Sequence, residues 1–347
     1  MRLRDNGDAT TMDHAFAGSC ALRGRKFIAA IFCVVATVPA IAQDRVAKVG
    51  WMSYSESGMF AEATQRGYVR GLREAGFVEG RNLAFVRRYA GGDLATLKAQ
   101  AREIVAERVD AIFAPAKPMV DAAWYASRRI PTIIATVTDP VLVQYAESLS
   151  RPGKHITGVT TANENLIGKR LELLKELLPQ ARRIAVILDP DLVQSCEEEL
   201  RLMEKAAQKL GIGIERLSVP AGRREDYAAA VARVAASRVD ALITAPMSVH
   251  LDATEAITEL VARHRIPLIH DVPQLAGNAL AVYGPDFEDI FRRAGHYTGR
   301  VLKGERPAEM AIEQPKEFRL VVNARVARTL GVKIPNAVLL RANEVIE

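Results

Sequence analysis

The sequence predicts an α/β protein built as two consecutive lobes, each a parallel sheet flanked by helices. Short apolar runs alternate with longer amphipathic stretches along most of the chain, the order that produces parallel sheets covered on both faces. The alternation restarts midway, and a direct echo joins the halves. Arg108-Val109-Asp110-Ala111-Ile112-Phe113-Ala114-Pro115 matches Arg238-Val239-Asp240-Ala241-Leu242-Ile243-Thr244-Ala245-Pro246, and each is followed by a second shared run, Arg129-Ile130-Pro131 and Arg265-Ile266-Pro267. The length of 347 residues suits two domains of ordinary size, so the expectation is a pair of Rossmann-like lobes.

In the first half, residues 46–52, 83–86, 110–114, 132–136 and 156–159 read as strands, and 62–74, 94–107 and 119–127 carry apolar residues at helical spacing. In the second half the strands are 183–188, 212–219, 240–245, 268–271 and 280–283, and the helices 166–178, 194–210, 227–236 and 251–264. The pattern breaks near Pro152-Gly153. The expected lobes are 43–160 and 161–284. Residues 285–347 are expected as a crossover and a C-terminal segment returning toward the first lobe, with strand-like runs at 310–312 and 318–322.

The first 42 residues read as an address. Arg23, Arg25 and Lys26 precede an apolar run over 27–38 that ends in Ala40-Ile41-Ala42, the grammar of a cleavable secretory signal. The run is too short for the roughly 18 to 20 residues a spanning helix needs. Export to the periplasm with cleavage after Ala42 is expected, against an uncleaved anchor or a buried helix. Residues 1–22 form an extended polar lead, with Met12 as an alternative start.

Three cysteines, at 20, 33 and 196, make no C-x-x-C pair and no zinc spacing. Once 1–42 is removed only Cys196 is left, too few for an internal disulfide. The net charge of +6 comes from 47 basic and 41 acidic residues interspersed along the chain, which argues against a nucleic-acid partner. There is no G-x-S-x-G, Walker lysine loop or H-E-x-x-H, and Gly211-Ile212-Gly213 lacks the third glycine of a dinucleotide fingerprint. His270 beside Asp271 is the one pair that invites a catalytic role; adjacent strand residues face opposite ways, so the pair reads as structural. No catalytic group, metal or cofactor is expected.

Several phrases together resemble one exported family. They are Asp139-Pro140-Val141, Ser150-Arg151-Pro152-Gly153 with Ile156-Thr157-Gly158, Lys169-Arg170-Leu171-Glu172-Leu173-Leu174-Lys175, Tyr283-Gly284, Glu313-Gln314-Pro315 and the closing Arg341-Ala342-Asn343-Glu344-Val345-Ile346-Glu347. The likeness is to ABC-transporter substrate-binding proteins of the tryptophan-binding-protein-like branch and covers essentially the whole chain after residue 42. It implies a type I periplasmic-binding-protein fold, two lobes joined by a multi-strand hinge, which captures a small molecule such as an amino acid or related compound. The partners it implies are that ligand and an ABC permease in the inner membrane, with the binding protein itself a monomer. Lys154-His155 stands where family members usually carry Gly-Asn.

Ligands to α/β sheets bind at the carboxyl ends of the strands, which selects the candidate contacts. Ser53, Tyr54 and Ser55 follow the first strand, where hydroxyls and free N–H groups either bind an anion or cap a helix. Lys117 follows the third strand, and Thr136 and Asp139 close the fourth. Asp139 is either the counter-ion of a ligand ammonium or a turn residue before proline. Thr160 and Asn163 lie at the passage between lobes; Asp189, Met247, Ser248, Asp271 and Tyr283 are their counterparts in the second lobe. Competing readings are a sensor or transcription regulator on the same fold and an α/β hydrolase. The signal at the amino end and the missing nucleophile argue against the last two.

Overall fold

The computed structural model describes residues 45–347 except 55, 58, 92, 163, 191–196, 221–223, 238 and 245–252. The leader, Cys196 and the candidates Ser55, Asn163, Met247 and Ser248 lie outside the described residues. In chain order the first part runs β1 (Ala47–Ser53), α1 (Met59–Glu74), β2 (Leu83–Tyr89), α2 (Leu97–Ala106), β3 (Ala111–Phe113), α3 (Lys117–Ala126), β4 (Thr132–Val137), α4 (Asp139–Leu142) and β5 (Ile156–Thr160). Its five strands form a parallel sheet in the order β2-β1-β3-β4-β5.

The second part runs α5 (Glu164–Leu177), β6 (Arg183–Leu188), α6 (Glu197–Lys209), β7 (Gly213–Ser218), α7 (Arg224–Ser237), β8 (Ala241–Thr244), α8 (Thr254–Arg263), β9 (Leu268–His270) and β10 (Ala281–Pro285). It is followed by α9 (Phe287–Leu302), β11 (Phe318–Asn323), α10 (Ala324–Leu330), α11 (Asn336–Arg341) and β12 (Glu344–Ile346). The second sheet has the order β12-β11-β10-β9-β8-β6-β7 and is mixed, because β11 runs antiparallel to β10. The parallel sheet expected for this lobe therefore gains an antiparallel joint where the chain re-enters it.

The division of 285–347 departs from expectation. Only α9 and the stretch around Glu313 return to the first lobe; β11 and β12 complete the second sheet. The run at 310–312 makes no strand of its own: Glu313 forms a single bridge to Val159. Helix α9, unforeseen in the sequence, is strongly amphipathic, burying Phe287, Ile290, Phe291, Ala294, Tyr297 and Val301. Asp286 caps it, accepting from the Asp289 N–H at 3.1 Å, and Glu288 and Asp289 complement its positive end.

Helix α9 packs on α1 at very close range. A Cβ on Gly71 would lie 1.8 Å from the carbonyl oxygen of Arg292, so the approach needs glycine. Beneath this pair lies an aromatic layer, with Tyr68 stacked on Phe113 at 3.8 Å and edge-on to Trp51 at 5.0 Å. Tyr68 Oη and Thr298 Oγ1, both buried, lie 2.7 Å apart and tie α1 to α9.

The chain thus passes between the sheets three times: from β5 to α5, from β10 to α9, and from α9 through Glu313 to β11. The last passage pairs with β5, since Thr160 N–H donates to Glu313 O at 2.8 Å and Glu313 N–H to Gly158 O at 2.9 Å.

Candidate ligand-binding site

The carboxyl ends of the two sheets meet. Thr138, one residue beyond β4, donates its hydroxyl to a carboxyl oxygen of Glu199 in the first turn of α6. Helix α6 follows β6, so its first turn stands at the carboxyl end of the second sheet, and the bond joins that end to the carboxyl end of the first. Thr138 is 6% exposed and Glu199 1%, so the pair is out of water.

Several expected contacts also have partners or packing within the fold. Lys117 Nζ lies 2.6 Å from Asp121 Oδ2, one helical turn on, with Tyr145 Oη at 3.4 Å and Tyr145 also donating to Asp121. Its charge is therefore neutralised by its own helix. Burial, with Asp121 beside it, pushes the Tyr145 hydroxyl well above the ordinary phenol range. The Thr136 hydroxyl donates to Pro115 O at 2.9 Å, fastening β4 to the turn after β3. Thr160 Oγ1 accepts from the Ala162 N–H at 3.3 Å. Ser53 ends β1, and Tyr54 is buried in the hydrophobic core.

In the second lobe, Asp189 and Asp271 are both buried at strand ends. Asp271 Oδ1 accepts from the Thr244 hydroxyl at 3.2 Å. Burial alone would raise the Asp271 carboxyl; the neighbouring His270 ring, the Arg170 guanidinium and the Thr244 hydroxyl together hold it below the usual carboxylate range. Arg170 is itself 1% exposed on α5 and donates through Nε to Tyr283 O at 2.7 Å. Its burial lowers the guanidinium pKa, which the Asp271 charge opposes. The approach of β10 to this corner needs Gly284, whose Cβ would fall 1.7 Å from Asp271 O.

His270 and Asp271 do not face opposite ways. β9 ends at His270, so Asp271 lies past the pleat, and His270 Nδ1 comes 3.1 Å from Asp271 Oδ1. That nitrogen already accepts the backbone N–H groups of Asp271 and Val272 at 2.6 and 2.9 Å. It therefore carries no proton to share with the carboxylate, and Nε2 lies 3.2 Å from the Thr254 hydroxyl. The ring organises the turn after β9. Tyr283 lies elsewhere than expected: its ring helps line a groove of about 490 Å³ with Lys169, Glu172, Phe318 and Arg341. These residues all belong to the second part of the chain.

Two buried polar atoms at the end of the first sheet have no partner among the described residues. Asp139 receives Gln314 Nε2 on Oδ2, while its buried Oδ1 has no hydrogen bond, and the Oγ1 of buried Thr161 has none either. Thr161 N–H donates to Val137 O at 3.3 Å, placing the two residues at the ends of neighbouring strands. Arg170 and Glu199 are not among the contacts expected from the sequence, although Arg170 shows as a charge inside the apolar stripe Leu166, Ile167, Leu171, Leu174.

Two sheets joined by three passages and touching at their carboxyl ends define a two-lobed binding protein of the type I periplasmic class. The chain belongs to the ABC transporter substrate binding protein family, whose model matches residues 56–346. It is similar to a conserved domain protein of Vibrio cholerae, with a TM-score of 0.78, 28% identity, and coverage of 87% of this chain and 100% of that one. A Streptococcus pneumoniae ABC domain in complex with L-Trp gives 0.77 at 24% identity, covering 86% and 99%. The tyrosine-binding protein of Clostridioides difficile is 24% identical over 273 residues, 78% of this chain and 77% of that one. The family is one of substrate-binding proteins, not of enzymes.

Proposed function

We propose that the protein is exported, resides in the periplasm as a monomer, and holds a small molecule between its lobes for delivery to an ABC permease in the inner membrane. Closure of the two lobes on the solute is the mechanism, with contacts from both lobes favouring the closed state. The observation that carries this reading is the Thr138 to Glu199 bond, a dehydrated polar contact between the carboxyl ends of two separate sheets. An amino acid or related compound is the solute class. The tyrosine-binding and L-Trp-bound relatives support that choice.

The lobes are assigned as 43–160 and 161–284, with 285–347 supplying the remaining passages and the end of the second sheet. Ser53, Tyr54, Asp139, Thr160, Asp189 and Asp271 are the proposed surroundings of the ligand. Isothermal titration of folded protein against amino acids, aromatic acids and sugars tests the reading. Micromolar or tighter binding of one solute is expected, and failure of the folded protein to bind any of them would reject it. Sequencing the amino terminus of protein recovered from a periplasmic fraction checks the export step, with Gln43 expected first.

A further inference from the structure

We infer that the end of the first lobe remote from the proposed solute contacts is a surface that lies on an anionic lipid bilayer, with Tyr125 among the headgroups and Arg108, Arg128, Arg129 and Lys154 on lipid phosphates. The inference goes beyond solute capture and concerns a second face of the molecule.

The basic residues are interspersed in the sequence, but the topology gathers some of them. β3, β4 and β5 are neighbouring parallel strands, so the loops that enter them stand side by side at the amino end of the sheet, about 5 Å apart per strand. Each loop brings cations to that end: Arg108 before β3, Arg128 and Arg129 before β4, and Arg151 and Lys154 before β5. Lys154 is half-buried and the others are exposed. None of them makes an ion pair among the described residues. Of the carboxylates near them in the chain, Asp110 is paired with Arg45 at 2.9 Å, which leaves only Glu107 and Glu147, the latter beside Gly153, against five cations.

Trp124, in the last turn of α3, organises the centre of this end. The Arg128 guanidinium lies 4.0 Å and Lys154 Nζ 5.6 Å from its ring centroid, and His155 stacks on it at 4.7 Å. Two like charges are thus held against one ring with no anion between them, an arrangement that a phosphate relieves. Burial, with these two charges beside it, lowers the His155 pKa to about 4, so that ring adds no charge at neutral pH. Next to Trp124, Tyr125 is 73% exposed, with the Arg128 guanidinium 6.0 Å from its ring. Val46, 47% exposed at the entry to β1, adds apolar surface at the same end. An exposed aromatic body with a polar tip suits the headgroup level of a bilayer. Cations spread over three loops suit an extended anionic surface better than one small anion, which needs converging donors. The proposed solute contacts of this lobe lie at the opposite, carboxyl end of the same strands, so a bilayer on this end leaves them open to solution.

The test uses the protein without residues 1–42, whose apolar run would itself seek a bilayer; residues 44–347 are one compact unit. Flotation measures partition onto vesicles of phosphatidylcholine alone and of phosphatidylcholine with phosphatidylglycerol in a two-to-one ratio, at low and high salt. A triple variant, Arg128→Gln, Arg129→Gln and Lys154→Gln, is set beside a control that removes the same charge from the second lobe, Arg263→Gln, Arg325→Gln and Lys333→Gln, and thermal unfolding checks that both fold. Wild type is expected to float with the phosphatidylglycerol vesicles only and to be released by salt. The first triple should partition about a hundredfold less, at about fivefold per basic residue near an anionic surface, and the control should lose less than about fivefold in all. The two tryptophans are Trp124 and the buried Trp51. Phosphatidylglycerol brominated close to the headgroup should therefore quench wild-type fluorescence and leave that of Trp124→Phe unchanged.

Equal flotation with both vesicle types, no flotation at all, equal losses in the two triples, or quenching that is absent from wild type or persists in Trp124→Phe overturns the inference. Tighter binding to single-stranded DNA than to the anionic vesicles at equal phosphate also overturns it, by assigning the face to a nucleic acid. None of these outcomes bears on solute capture, which titration in free solution reads separately.

Discussion

Replacing Thr138 by valine separates a bond between lobes from a bond within one. The side chain keeps its shape and loses only the hydroxyl that reaches Glu199. Among the described residues Thr138 is the donor that Glu199 has, and the carboxyl is 1% exposed, so closing the variant leaves it buried without that bond. Hydrogen bonds to charged groups contribute about 1.5 to 3 kcal/mol, which is roughly a tenfold to hundredfold shift in the closing equilibrium. In the open form water solvates both groups and the substitution costs little. The whole effect therefore falls on closure. If the free protein rests open, affinity for the solute drops by that same factor; if it rests closed, the free state loses the bond too and affinity drops less. Small-angle scattering with and without ligand reads closure, titration reads affinity, and thermal unfolding of the ligand-free chain reads the fold. A variant with a lowered melting temperature but unchanged radius of gyration and affinity would show that Thr138 and Glu199 move as one rigid body, and the closure reading would fail.

Three further outcomes are expected. Gly71→Ala places a methyl 1.8 Å from the Arg292 carbonyl and should destabilise by about 1 to 3 kcal/mol or more in denaturant unfolding; Gly168→Ala, in α5 with nothing within 4 Å, should be neutral or stabilising by up to about 1 kcal/mol. Thr298→Val should cost more than Tyr68→Phe, because Thr298 also donates to Ala294 O and keeps that bond when the phenol is lost, whereas the buried Tyr68 hydroxyl has its bond to Thr298 removed; equal costs in chemical denaturation would reject the asymmetry. Burial, with Arg128 and Lys154 nearby, lowers the His155 pKa to about 4, so between pH 6.5 and about 4 the unfolded chain binds the extra proton and stability falls with pH. His155→Phe keeps the stack on Trp124, now 4.7 Å between centroids, and should flatten that part of the melting-temperature profile.

Much of the fold was legible because the central strands are buried on both faces and read as short apolar runs. The strand predicted at 183–188 has the bounds of β6, and every other predicted strand of the two sheets up to β10 overlaps an observed one. Helix α9 was not predicted, although the spacing of Phe287, Ile290, Phe291, Ala294, Tyr297 and Val301 is helical. What the sequence withheld was its partner, since α1 lies more than two hundred residues earlier. The short elements α10, α11 and β12 depend on docking to the second sheet and carry little local signal. In the site, Lys117 with Asp121 four residues on was a readable self-paired salt bridge. Glu199 beside Leu200 and Met203, like Arg170 in α5, was a charge in a buried stripe. Such charges mark places where a helix meets a polar site, but the sequence does not say which site.

Three consecutive positions explain why the end of β4 governs this protein. Val137 O takes the Thr161 N–H and so holds the first passage between lobes; Thr138 reaches the second lobe through Glu199; Asp139 reaches the third passage through Gln314. Asp139 therefore has one oxygen anchored on a connecting passage and a neighbour bonded to the opposite lobe. The contact between lobes and two of the connecting passages are coupled through one short stretch of backbone. On the proposed reading of solute capture, a contact made at this strand end is transmitted to closure, because the same strand end carries the bond between lobes.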